Sequence, residues 1–143
     1  MPEIERVLGL DVGERRIGVA VSDPLGLTAQ GVRTIQSRGV ERDLAAIAEI
    51  AGQYGAKRLV VGLPKNMDGS VGFQAERVME FAARLERLGY RIQYQDERLT
   101  SASATRTLLE ADVSRKKRKQ VIDKLAATYI LQGFLDGGGL SRR

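Results

Sequence analysis

Two apolar runs, IERVLGL at residues 4–10 and RIGVAV at 16–21, are separated only by the stretch DVGER. That spacing closes an antiparallel hairpin around a Gly-containing turn, so the chain starts as sheet. After the turn at Pro24–Gly26, GVRTI (31–35) reads as a third, weaker strand. Val40, Leu44, Ile47 and Ala51 then recur at helical spacing. KRLVVGL (57–63) is a short continuous apolar run, the pattern of a strand covered on both faces.

The loop PKNMDGS leads into a second helix, with Ser70 as its expected N-cap and Gly89 as its stop. Val71, Ala75, Val78, Ala82 and Leu85 mark its apolar stripe. RIQYQ (91–95) is the fifth strand, and Thr100 or Ser101 is placed to cap a third helix running to about Ala111. A basic segment at 114–120 precedes a last helix through KQVIDKLAATYILQGFLD, and GGGLSRR (137–143) reads as a flexible tail. The order β-β-β-α-β-α-β-α-α predicts an α/β fold: a mixed five-stranded sheet with helices on its faces. One domain over residues 1–136 is expected.

Composition narrows the chemistry more than the class. With 143 residues, 43% hydrophobic and 29% charged, the chain suits a globular domain with a real core. No apolar stretch approaches a membrane span, and MPEIER lacks a signal-peptide pattern, so a soluble cytoplasmic protein is expected. The chain has no Cys and no His. That removes disulfides, thiol chemistry, Cys/His zinc sites and imidazole bases. Catalysis would have to rest on carboxylates, cations, hydroxyls or a metal held by oxygen, which suits magnesium or manganese. The net charge of +5 fits a polyanionic partner.

Three acidic positions stand apart from the surface acids. Asp11 closes the first apolar run, directly after Leu8 and Leu10. Asp96 and Glu97 close the fifth strand, and alternation allows only one of them to face Asp11. Asp123 lies inside VIDKLAATYIL, sharing a helical face with Ala126, Ala127 and Ile130. Taken alone, Asp123 is slightly better explained by a boundary acid facing solvent or paired with nearby Lys or Arg. Ligand groups gather outside the carboxyl ends of parallel strands, where Asp11 and Asp96–Glu97 would meet if their strands run parallel. Three converging carboxylates repel one another unless a divalent cation sits among them. Such cations activate water and stabilise the leaving oxygen of a phosphodiester.

The run Arg115, Lys116, Lys117, Arg118 and Lys119 has the composition of a solvated face or a phosphate-binding stretch. Cations at a helix start oppose the macrodipole, so the run does not serve helix stability. GLPKNMDGS (62–70) presents Lys65 and Asn66 before a helix N-terminus, a weak anion-site signal without a Walker ending.

Taken together, LGLDVGERRIGVAVSD, VVGLPKNMDGS, DERLTSASA and IDKLAATYILQGFLD resemble the YqgF/RuvX-type family of Holliday-junction-resolvase-like nucleases. The resemblance spans about Val7 to Leu135 and implies a ribonuclease H-like fold. It implies Asp11, Glu97 and Asp123 as metal-binding catalytic acids, with Asp96 as understudy to Glu97. Gly13, Lys65, Arg98 and Thr100 fall at motif positions that shape the site or bind substrate. The family is associated with trimming the 5′ end of pre-16S rRNA and with cutting four-way DNA junctions. Symmetric junction cleavage would need a two-fold homodimer. Two rivals remain: an actin-like ATPase, for which one domain is too little, and a non-catalytic nucleic-acid-binding module, which leaves Asp11 and Asp123 unexplained.

Overall fold

The computed structural model describes residues 5–64, 68–96 and 115–138, with backbone alone for 115–123. The elements are β1 (Val7–Val12), β2 (Arg16–Ser22), β3 (Ala29–Gln36), α1 (Val40–Tyr54), β4 (Arg58–Leu63), α2 (Phe73–Arg87), β5 (Arg91–Asp96) and α3 (Arg115–Asp136). The strands form one mixed sheet in the order β3-β2-β1-β4-β5. β2 is antiparallel to both β1 and β3, and β4 is parallel to both β1 and β5. Four strands therefore end at the same edge, with β2 running against them.

Both faces of the sheet are covered, which is why the central strands β1 and β4 are apolar apart from Asp11 and Arg58. β1 is buried from Val7 to Leu10 and β4 along its whole length. On one face Leu8, Leu10, Ile17, Val19, Leu59 and Val61 pack against α1 and α2 in the larger cluster. On the other, Val7, Ala20 and Val60 pack against Ala127, Ile130, Leu131 and Phe134 of α3. α3 comes unusually close. A Cβ on Gly9 would lie 2.6 Å from the Leu131 Cβ and 2.9 Å from the Ala127 carbonyl oxygen. At its far end the helix is clamped to the β2–β3 loop by Gln132. Its Oε1 accepts from the Ala29 N–H at 2.9 Å and its Nε2 donates to the Leu27 carbonyl at 3.0 Å.

Several helix starts differ from the sequence reading. α2 begins after Gly72 without a side-chain cap, because the Ser70 hydroxyl donates to Asp68 Oδ1 at 2.6 Å inside its own turn. Val71 consequently lies before the helix and is exposed, as is Val40 at the start of α1. The basic run does not precede the last helix but forms its first turns. Arg, Lys and Gln are good helix formers, and that propensity outweighs the unfavourable end charge. β1 runs to Val12, two residues beyond the expected end. Gly137 and Gly138 form a closing turn, with Gly137 N–H donating to the Gly133 carbonyl at 3.1 Å. The helix expected near 100–111 and residues 139–143 of the tail lie outside the described residues. Among the described residues no helix is long and apolar enough to cross a membrane.

Candidate active site

Asp11 is the penultimate residue of β1 and is partly buried. Its direction follows from its neighbours. Leu8 and Leu10 point toward α1 and α2, whereas Val7 packs with α3 and Gly9 lies beneath Leu131. Alternation puts Asp11 on the α3 face. Gly18 stands directly across the antiparallel pair. On the other side, the residue following Val61, the partner of Leu10, is Gly62. Asp11 thus rises from a strip of sheet bare of side chains on β2 and β4.

α3 crosses this face antiparallel to β1. Val7 packs among Ile130, Leu131 and Phe134, while Gly9 meets Ala127 and Leu131. Moving up β1 toward Asp11 therefore means moving back along α3 toward residue 123. Residue 123 lies one turn before Ala127, on the sheet-facing stripe by helical spacing. The stripe named from the sequence is the buried one: Ala126, Ala127 and Ile130 are all at most 2% exposed. The Asp123 side chain itself lies outside the described residues. Positions 115–119 continue the helix past 123, at the same end of the sheet as Asp11.

β5 resolves part of the Asp96–Glu97 ambiguity. β1 and β5 are each parallel to β4, so Asp11 and Asp96 do sit at one edge of the sheet, two strands apart. They do not share a face. Asp96 is in register with Leu63, which packs with the α1/α2 cluster. Tyr94 points the same way, and burial, with the Glu86 carboxylate of α2 adding to it, pushes its phenol up. Asp96 is therefore turned away from Asp11. Glu97, Arg98, Thr100 and Lys65 lie outside the described residues. Among the described residues no group of three acidic side chains is placed to hold a metal.

Two residues that the sequence reading passed over share Asp11's face. Arg16 precedes Ile17, which points to the α1/α2 side, so Arg16 points to the α3 side. Thr34 is in register with Gly18, in the same row as Asp11. Neither Arg16, Thr34 nor Asp11 is a free side chain. The signal was present in RIGVAV, whose alternation becomes informative once both faces are known to be covered. Gly13 holds the turn beside them: its N–H donates to the Arg16 carbonyl at 2.9 Å, and a Cβ there would meet that same oxygen at 2.9 Å.

A cavity of about 470 Å³ opens on the opposite face, between the hairpin tip, α1 and α2. Its lining includes Glu14, Asp43 and Glu80 with Arg77, Arg84 and Arg87, and these charges cancel. Arg77 is paired with Glu14 at 3.2 Å and Arg84 with Glu41 at 3.6 Å. The sheet separates this cavity from Asp11, and nothing ties it to carboxylate chemistry.

The family model described as RuvX: Holliday junction resolvase matches residues 5–137. A protein of Moorella thermoacetica named "Putative pre-16S rRNA nuclease" is 58% identical over 132 residues, covering 92% of this chain and 94% of its own. One of the same name from Clostridium botulinum is 54% identical, covering 92% and 96%. Among solved structures, RuvC of Thermus thermophilus in complex with a Holliday junction substrate superposes with a TM-score of 0.57 at 14% identity, covering 94% of this chain and 96% of that one. RuvC alone gives 0.56 at 13% identity. This likeness identifies the fold as the RuvC-like, ribonuclease H type expected from the sequence.

Proposed function

This chain belongs to the RuvX family of Holliday junction resolvases, and from that premise we propose that it is a divalent-metal-dependent nuclease acting on the 5′ end of pre-16S rRNA. Family membership supports the reaction class, and the relatives named for pre-16S rRNA support the substrate. The structural observation that carries the chemistry is Asp11: a partly buried carboxylate at a strand end, between Gly18 and the strip holding Gly62, on the face that α3 crosses.

Magnesium or manganese fits this chain. Hard cations take oxygen ligands, and the sequence offers carboxylates but no His or Cys. Asp11, Glu97 and Asp123 would hold it, with Glu97 preferred to Asp96 because Asp96 turns to the other face. The bound cation supplies water activation and stabilisation of the leaving oxygen. The chain's own residues do the rest. Asp11 is carried by a strand that is itself paired on both sides, so the backbone that presents its carboxylate is held in place. Lys65, Arg98 and Thr100 contact the substrate, and Arg115 to Lys119 neutralise phosphates of the nucleic acid.

Cleavage of four-way DNA junctions is the second reading, favoured by the family's description. It requires a homodimer presenting two sites. One experiment separates the readings. Wild type and Asp11→Asn are incubated with RNA carrying a ribosomal 5′ leader and with a synthetic junction, in magnesium and in manganese. The expected result is metal-dependent cutting of the leader RNA, lost in Asp11→Asn with binding retained. Preferential cutting of the junction would move the assignment to the second reading. Equal cutting by both proteins would remove Asp11 from the mechanism, and binding without cutting would favour a non-catalytic module.

A further inference from the structure

We propose that Arg16 binds the substrate phosphate next to the one attacked, as part of the floor of the site. This rests on the nuclease reading and extends it to a residue outside the acidic set. Asp11 is opposite Gly18 in the β1–β2 pair, and Arg16 is two residues from Gly18 on the same face. Diagonal neighbours of this kind are separated by roughly 7–8 Å, within reach of a long side chain. Gly18 puts no side chain between them.

The position suits a phosphate contact. Arg16 starts β2, with its backbone held by the Gly13 N–H and by register with Gln36. Its guanidinium is thus launched from a fixed strand, on the face where α3 carries the basic turns 115–119 toward the same end. Lys124 does not fill this role, because its stem packs over Gly31, lower on β3. Guanidinium binds phosphate through two parallel hydrogen bonds, so it fixes register as well as adding charge. Exposed Gln36 beside it adds neutral donors suited to a sugar–phosphate backbone.

A matched control exists on the other face. Arg33 is exposed and in register with Val19, which packs with the α1/α2 cluster, so it faces away from Asp11. Arg16→Gln and Arg33→Gln remove the same charge. Binding of leader RNA is measured in the Asp11→Asn background, and turnover in the active protein. For Arg16→Gln we expect binding weakened about 5–10-fold at 0.1 M salt and a salt slope shallower by roughly 0.7–0.9. KM should rise while kcat stays within about twofold, the signature of uniform binding. Arg33→Gln should change binding less than about twofold, since exposed distant charges are screened. Indistinguishable effects of the two substitutions would overturn the assignment while leaving the nuclease reading intact. A wild type that neither binds nor cuts would overturn both. Should Arg16→Gln fail to fold by circular dichroism, Arg16→Lys keeps stem and charge; a KM raised about two- to fourfold is expected from losing the fork, and a wild-type KM would overturn the proposal.

Discussion

Gly9 and Leu131 pack so closely that the strand residue has no room for a methyl group, 2.6 Å being all that separates its hypothetical Cβ from the Leu131 Cβ. This contact sets how near α3 comes to β1, and so how near residue 123 comes to Asp11. Gly9→Ala is expected to push the helix outward at a cost of about 1–3 kcal/mol, as overpacking does. Urea unfolding would measure the loss. Cleavage should fall at temperatures where the variant is still fully folded, if the proposed site needs residue 123 held near Asp11. Wild-type turnover in a folded Gly9→Ala protein would show that α3 spacing is irrelevant to the chemistry.

Gly52 is the counter-case. It is exposed within α1, and nothing lies within 4 Å of where its Cβ would sit. Gly52→Ala should therefore stabilise the protein by about 0.5–1 kcal/mol through helix propensity alone. Thermal unfolding would register the gain, and cleavage should be unchanged.

Asp43 is 5% exposed and ties α1 to the end of β3. It accepts from the Ser37 hydroxyl at 2.5 Å and from the Arg38 N–H at 3.0 Å. Asp43→Ala leaves both donors without this acceptor and should cost about 1–3 kcal/mol. Ser37→Ala should cost less. In a double-mutant cycle the two losses should sum to more than the double variant's loss, since one hydrogen bond is shared. Strict additivity would contradict the contact.

Asp23 gives a pH-dependent prediction. Its carboxylate accepts from the Leu27 N–H at 2.7 Å and the Thr28 N–H at 3.0 Å, and these bonds, Thr28 first, hold its carboxyl below the ordinary aspartate range. A depressed folded pKa means that the contribution to stability is complete above the unfolded value, about 3.9, and fades as pH falls through the lower folded value. The Leu27 and Thr28 amide shifts should titrate together with a midpoint below about 3.9, and Asp23→Asn should abolish that step. A midpoint at or above the unfolded value would mean that the loop is not held by Asp23.

Much of this architecture was legible because apolar pattern and sheet geometry agree. KRLVVGL reads as a doubly covered strand because it is one, and the hairpin followed from two runs five residues apart. Helix starts were harder. Ser70 looks like a cap, but Asp68 captures its hydroxyl two residues away, a competition visible only in three dimensions. The basic run was misplaced because end-charge arguments are weaker than the helix propensity of its own residues. At the site, Asp11 announced itself as a charge among leucines. Arg16 did not, since an arginine at a strand start looks like ordinary surface until the two faces of the sheet are told apart.

That separation of faces has a consequence for how such a protein changes over generations. The larger cluster, around Leu8, Leu10, Ile47 and Leu85, lies on one side of the sheet, while Asp11 and α3 lie on the other. Substitutions that tune robustness can accumulate among α1 and α2 with little effect on Asp11, and substitutions near Asp11, beyond the smaller cluster of Val7, Ala20, Val60 and Ile130, can accumulate with little effect on that larger core. Lineages are then free to drift in one property while selection holds the other, with the central strands as the only ground the two must share.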